Sequence, residues 1–246
     1  MDIFINNKRV SNEEIDAWEF KRLKYQYQFF MKRGYDLTNP SEAPNIKSAR
    51  KDMGRFKASI KPEQLRRILK NRYKIGNLIS KMTALLSRGK RRYSMTEFFI
   101  PTTLSPERVM DDIKKIMLEN TQEHLFMNLA TNPDHFVLLG IGDNIQEVVE
   151  MTGGSPLPTR FFAHYGDESG LTSSRSEGYL VQLAGCAKLE DGTVIGGVRH
   201  QIKREENGIR FKALVEFPSM VPKFMLNKHQ YHLACEFREW LGYIIK

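Results

Sequence analysis

From Gly178 to Phe217 the chain alternates apolar and polar residues in three runs, GYLVQLAGCAKL, TVIGGVRHQIK and GIRFKALVEF, separated at Asp191-Gly192 and Asn207-Gly208. Such dipeptides close tight hairpins, because asparagine, aspartate and glycine accept the left-handed backbone that a short turn needs. The spacing predicts a three-stranded antiparallel meander. In its last run Ile209, Phe211, Ala213, Val215 and Phe217 alternate with Arg210, Lys212 and Glu216, a period of two that places one face of the sheet in a core. A half-buried sheet must be covered by a second layer. The segment after Ser219 and Pro222 supplies one, as a helix running towards Tyr243 that carries Phe224, Met225, Leu233, Phe237, Trp240 and Leu241 on several sides.

Upstream of the meander, Met95 to Ile100 reads as a strand, and Ser105-Pro106 supplies an N-cap and first turn for a helix to about Glu119. HLFMNLA (124–130) and HFVLLGI (135–141) read as strands on either side of Asn132-Pro133-Asp134, and Gly142 to Thr159 reads mostly as loop. RFFAHY, just before Gly166, is a further strand candidate. Strand, helix, several antiparallel strands and a long C-terminal helix, taken over residues 95–246, form a topology similar to helix-grip folds, the lipid-transfer and pollen-allergen type. The resemblance implies an α+β domain whose sheet wraps a helix, with room for a small molecule or lipid between them.

Residues 1–94 read as a basic helical region. Ser11 and Glu14 fit a capping box opening a helix that stops near Gly34, with Ile15, Trp18, Leu23, Tyr25, Phe29 and Phe30 on one face. Tyr35 to Lys61 reads as an irregular basic connector. Pro62 opens a second helix ending near Gly89, whose apolar stripe is Leu65, Ile68, Leu69, Ile75, Leu78, Ile79, Met82, Leu85 and Leu86. Arg66, Arg67, Lys70, Lys74, Lys81 and Arg88 share the other side, and no acidic residue occurs between Gln64 and Thr96.

The net charge of +9 is unevenly placed: residues 1–100 hold 23 Lys/Arg against 10 Asp/Glu, and residues 101–246 hold 15 against 19. A front of that sign attracts phosphate, in nucleic acid or on an anionic membrane, or another polyanion such as an acidic protein surface. The leading expectation is therefore a non-enzymatic nucleic-acid-associated binding or assembly protein. Its phosphate contacts would be Arg66, Arg67, Lys70, Lys74, Lys81, Lys90, Arg91 and Arg92, the last three in an exposed junction before Met95. The alternative is a small-molecule or lipid carrier with a cavity between sheet and C-terminal helix. A third is a metal-dependent nuclease using Asp167 and Glu168. The run YGDESGLTSSRSEGYLVQLAG resembles the opening hairpin of retroelement RNase H domains, but the further acidic positions those domains use would fall on a stretch in strand period.

Other chemistry is sparse. His229, His232 and Glu236 share a helix face, but a metal would need ligands from another element, so they read as packing or surface residues. His200 reads as a hydrogen-bonded core histidine, and Asp167-Glu168 as a polar turn. Gly153-Gly154 and Gly196-Gly197 match no phosphate loop or dinucleotide fingerprint, and no cofactor is expected. Cys186 and Cys235 read as reduced, packed thiols. No apolar run approaches the length of a membrane span and no signal-peptide pattern opens the chain, so an intracellular protein is expected.

Overall fold

The first ten residues form a hairpin, β1 (Asp2–Ile5) and β2 (Lys8–Val10), in a computed structural model that describes residues 1–246. Its turn is made by Asn6 and Asn7, both with positive φ, a conformation asparagine tolerates better than most residues. Helix α1 (Asn12–Met31) begins at the expected capping box: Ser11 Oγ accepts from the Glu14 amide at 3.2 Å, and the Glu14 carboxylate accepts from the Ser11 amide at 3.0 Å. Ser11→Ala should lower stability by about 1 kcal/mol in urea denaturation.

The stretch expected as an irregular connector instead holds helix α2 (Ile46–Ala58), capped by Asn45. Its buried face mixes Ala49 and Met53 with Arg50 and Lys57. Two buried cations break the apolar stripe by which a helix is normally detected. Helix α3 (Pro62–Ser87) ends on a left-handed Arg88 and Gly89. It packs through Leu65 and Leu69, through Gly76, where an added Cβ would meet the Pro158 carbonyl oxygen at 2.1 Å, and again at its end through the buried Ser87. The second half of its apolar stripe, Ile75 to Leu86, stands in solvent rather than packing.

Strand β3 (Arg91–Ile100) starts earlier than Met95, so Arg91 and Arg92 are paired with Pro218 and Phe217 rather than lying in an exposed junction. Helix α4 (Pro106–Leu118) follows as expected. HLFMNLA is not a strand but most of helix α5 (Gln122–Ala130), capped by Thr121. The seven-residue apolar run did not distinguish the two states; the N-cap three residues before His124 does. Strands β4 (His135–Gly142), β5 (Ile145–Glu150) and β6 (Thr159–Tyr165) come next, and β5 occupies part of the expected loop, turned by Asn144 at φ 60°. The meander is present as β7 (Val181–Lys188), β8 (Val194–Glu205) and β9 (Gly208–Pro218), before helix α6 (Lys223–Ile244).

The nine strands form one antiparallel sheet in the order β2-β1-β3-β9-β8-β7-β6-β5-β4. The N-terminal hairpin therefore belongs to the same sheet as the meander, and residue 94 lies inside β3. β3 and β4 are six steps apart in this order, about 29 Å if the sheet were flat. Yet Ser94 of β3 bonds His229, and His135 of β4 faces His232, one turn along α6. The sheet is therefore curled around α6. Phe98, Ile202 and Phe211 from the sheet, Ile113 from α4, and Leu233, Phe237 and Trp240 from α6 form the main core. Both cysteines are buried and unpaired. No helix is long and apolar enough to cross a membrane.

Candidate metal centre and ligand cavity

Where the curled sheet stands away from α6, it leaves a cavity of about 490 Å³. Leu138, Val148, Phe161, Val215, Leu233 and Trp240 give it a mainly apolar wall. It reaches the surface beside Ile79 of α3 and Phe224 of α6, which line it and are 53% and 59% exposed. Seven of its lining residues are titratable and buried: Glu150, Tyr165, His200, Glu216, His229, His232 and Glu236.

Four donors meet beside the inner wall, and all but His135 line the cavity. His135 opens β4, Glu150 closes β5, and His232 and Glu236 sit one turn apart on α6. His135 Nε2 lies 3.3 Å from His232 Nε2, 3.6 Å from Glu150 Oε2 and 3.8 Å from Glu236 Oε1. His232 Nε2 lies 3.8 Å from Glu150 Oε2 and 4.0 Å from Glu236 Oε2. Ligands held about 2.1 Å from a tetrahedral ion are about 3.4 Å from one another. These five separations, 3.3–4.0 Å, approach that edge. His229 adds a fifth donor within 4.8 Å of Glu150 and His232.

Supporting bonds aim these donors. His135 Nδ1–H donates to the Asn128 carbonyl at 2.8 Å, which leaves the Nε2 lone pair of the neutral ring facing the cluster. Thr152 Oγ1 donates to Glu150 Oε1 at 2.8 Å, leaving Oε2 towards the histidines. Ser94 Oγ holds His229 Nδ1 at 2.9 Å. The turn after β5 must run against α6 to place Glu150, and Gly153 permits this: at φ 59°, an added Cβ would lie 3.0 Å from His229 Cβ. Ahead of β4, the buried Asp134 accepts from Nε and Nη2 of Arg22 at 2.7–3.0 Å and from the Gln26 amide at 2.7 Å. Lys57 Nζ donates to the His135 carbonyl at 2.7 Å. The first helices thus fix the strand that carries His135.

The electrostatics match a place for a cation. Burial pushes Glu150 up to about 7, with the Asp134 charge adding to it, and raises Glu236 well above the ordinary carboxyl range. Burial also pushes His135 and His229 down to about 3 and His232 well below its usual value. No Lys or Arg pairs with Glu150 or Glu236; their only oppositely chargeable neighbours are these histidines. Neutral imidazoles beside unpaired carboxyls are the protonation states that metal binding uses, the carboxyl protons leaving as the ion enters.

Sequence reading placed His232, His229 and Glu236 on one helix face but took them as packing residues. It missed His135 and Glu150, because Glu150 lay in a supposed loop and no local pattern joins β4, β5 and α6. His200 is buried as expected, but its Nδ1 has no hydrogen-bond partner. Asp167 is held by Lys188 and Ser169, and Glu168 by Arg199, which makes them a polar turn.

The eight cations assigned to phosphate are scattered in their circumstances. Arg66 forms a two-bond pair with Glu147 at 2.5 and 2.9 Å, Lys81 pairs with Asp191, and Arg91 lies largely buried beside Glu216. Arg92 is exposed and donates to the Val221 carbonyl at 3.2 Å. Arg67, Lys70, Lys74 and Lys90 are exposed and form no ion pair.

No protein-family model matches the chain. No curated protein matches it either. Among solved structures, the chain is similar to Ara h 8.0201, with a TM-score of 0.40 and 11% identity over 63% of this chain and 98% of that one.

Proposed function

We propose that the protein binds a small, largely apolar molecule in the cavity and brings it against a divalent metal ion held by His135, Glu150, His232 and Glu236. The observation that carries this reading is a pair of overlapping three-donor clusters, His135, His232 and Glu236 with Glu150, His229 and His232, drawn from two strands and a helix; all of these residues but His135 line an open apolar cavity. Imidazole with carboxylate suits zinc and other first-row ions. An ion there would supply Lewis acidity to a polar group of the occupant.

The chain's own residues define the rest of the site. Leu138, Val148 and Phe161 exclude water from the occupant's apolar part. Tyr165 Oη donates to Gln146 Oε1 at 3.1 Å and Gln146 Nε2 to the Met117 carbonyl at 2.6 Å, a fixed polar pair on the same wall. His200 Nδ1 and Trp240 Nε1, on residues that line the cavity, are buried without partners. Buried polar atoms in that state call for a ligand or water to satisfy them.

The reading develops the carrier alternative and favours it over a role confined to nucleic acid. Its test is stability. Adding zinc at ~100 times its dissociation constant should stabilise the protein by about 2.7 kcal/mol, seen as a rise in melting temperature that a chelator reverses. Native mass spectrometry should show one ion per chain. No shift with zinc, cobalt or manganese would remove the metal from the account.

A further inference from the structure

The second half of α3 carries a feature that the cavity reading leaves unused. Ile75, Leu78, Ile79, Met82, Leu85 and Leu86 are each 49–63% exposed. Met220, whose amide donates to Ser87 Oγ at 3.0 Å, and Phe224, on the same cavity mouth as Ile79, extend the patch onto a second element. They are 58% and 59% exposed. Contiguous apolar surface of this kind marks an interaction face.

Charge selects the partner. Arg67, Lys74, Lys81 and Arg88 recur every seven residues and so form one row along the edge of the apolar stripe. Lys90, Lys223 and Lys228 are also exposed near the ends of the patch. Asp191, which pairs with Lys81, and Glu190 are the acids on this side. A second copy laid antiparallel on α3 would bring this row against itself, Lys81 opposite Lys81, with few acids to relieve it. An anionic surface meets the row without that penalty. The patch also spans two elements around the cavity mouth rather than a single helical seam, which suits a planar partner over a partner helix.

We infer that this face docks on a membrane surface rich in anionic lipid, with the apolar residues at the level of the acyl boundary and the cations among the headgroups. The cavity then opens towards the bilayer, through which an apolar occupant would enter. The inference stands on exposed residues alone and is independent of the metal.

Co-sedimentation of the full chain with vesicles tests it, using phosphatidylcholine alone or phosphatidylcholine mixed with phosphatidylserine. Binding is expected to the mixed vesicles and to fall as salt rises. Leu78→Glu with Leu85→Glu should abolish it, and Lys74→Gln with Arg88→Gln should weaken it about 25-fold, at about fivefold per cation. All four positions are exposed, so the variants should keep the parent circular dichroism spectrum. Three outcomes would overturn the inference: no binding to mixed vesicles, equal binding by the Leu78→Glu, Leu85→Glu variant, or a dimer in light scattering that this variant dissociates. Competition by RNA for the same face, without vesicle binding, would assign it to nucleic acid instead.

Discussion

Replacing His232 by Ala should reduce the affinity for a divalent ion by well over 100-fold, because loss of an outer-sphere partner alone typically costs 10–100-fold and His232 is an inner donor. Its Nε2 is the hub of the cluster, lying 3.3–4.0 Å from His135, Glu150 and Glu236. His135→Ala should do the same. Glu236→Gln keeps the shape and one oxygen donor but removes a charge, so it should weaken binding less. Isothermal titration with zinc separates the three. His124→Ala is the control, since His124 lies outside the cluster and pairs only with Glu119. If the three cluster variants bound zinc like the parent and the control, the donors would lie elsewhere.

The second large effect concerns the support behind the site. Arg22→Met should destabilise the protein by about 3–5 kcal/mol, because it strands a buried carboxylate. Asp134 is fully buried, and its charge is compensated mainly by Arg22 at 2.7 Å and by the Gln26 amide. Burial raises its pKa while Arg22 opposes that rise, so losing Arg22 leaves protonation as the route to relief. The double variant Arg22→Met, Asp134→Asn removes both charges and should recover much of the loss. Urea denaturation measures both. A single variant as stable as the parent would mean that the pair does not hold β4 in place, and the double variant tests that coupling directly.

These two effects also show what the sequence could reveal. The meander was legible because its signals are local: alternation in Ile209 to Phe217 and turn residues at Asp191-Gly192 both act within a few positions. The capping box at Ser11 and the helix start at Ser105-Pro106 were legible for the same reason. Helix α2 was hidden by function in the structural sense, since Arg50 and Lys57 occupy positions that an ordinary helix would give to apolar residues. Arg50 is buried against Glu19 at 2.5–2.6 Å, and Lys57 against three backbone carbonyls. A charge is readable as a core residue only once its partner is known, and the partners lie 31 and more residues away.

The candidate centre was half legible. His229, His232 and Glu236 carry the helical spacing of a ligand face, and the requirement for donors from another element was clear. What local pattern could not supply is that the sheet curls far enough to bring β4, at its edge, against α6. The cations of α3 were expected to share one side, and of these Arg66 and Lys81 are paired with Glu147 and Asp191, whereas the accompanying apolar stripe was expected to pack and stands exposed from Ile75 onward. That exposure is a property of the whole assembly of elements, because nothing in the heptad spacing says which half of a 26-residue helix the sheet will cover.

Anomalous diffraction from a crystal of the zinc-supplemented protein, measured on both sides of the zinc absorption edge, locates the bound ion. A single peak is expected within about 2.0–2.2 Å of His135 Nε2, His232 Nε2 and carboxylate oxygens of Glu150 and Glu236, beside the inner wall of the cavity. A peak confined to surface residues, or none among these four side chains at full occupancy of the protein with zinc in solution, would contradict that placement.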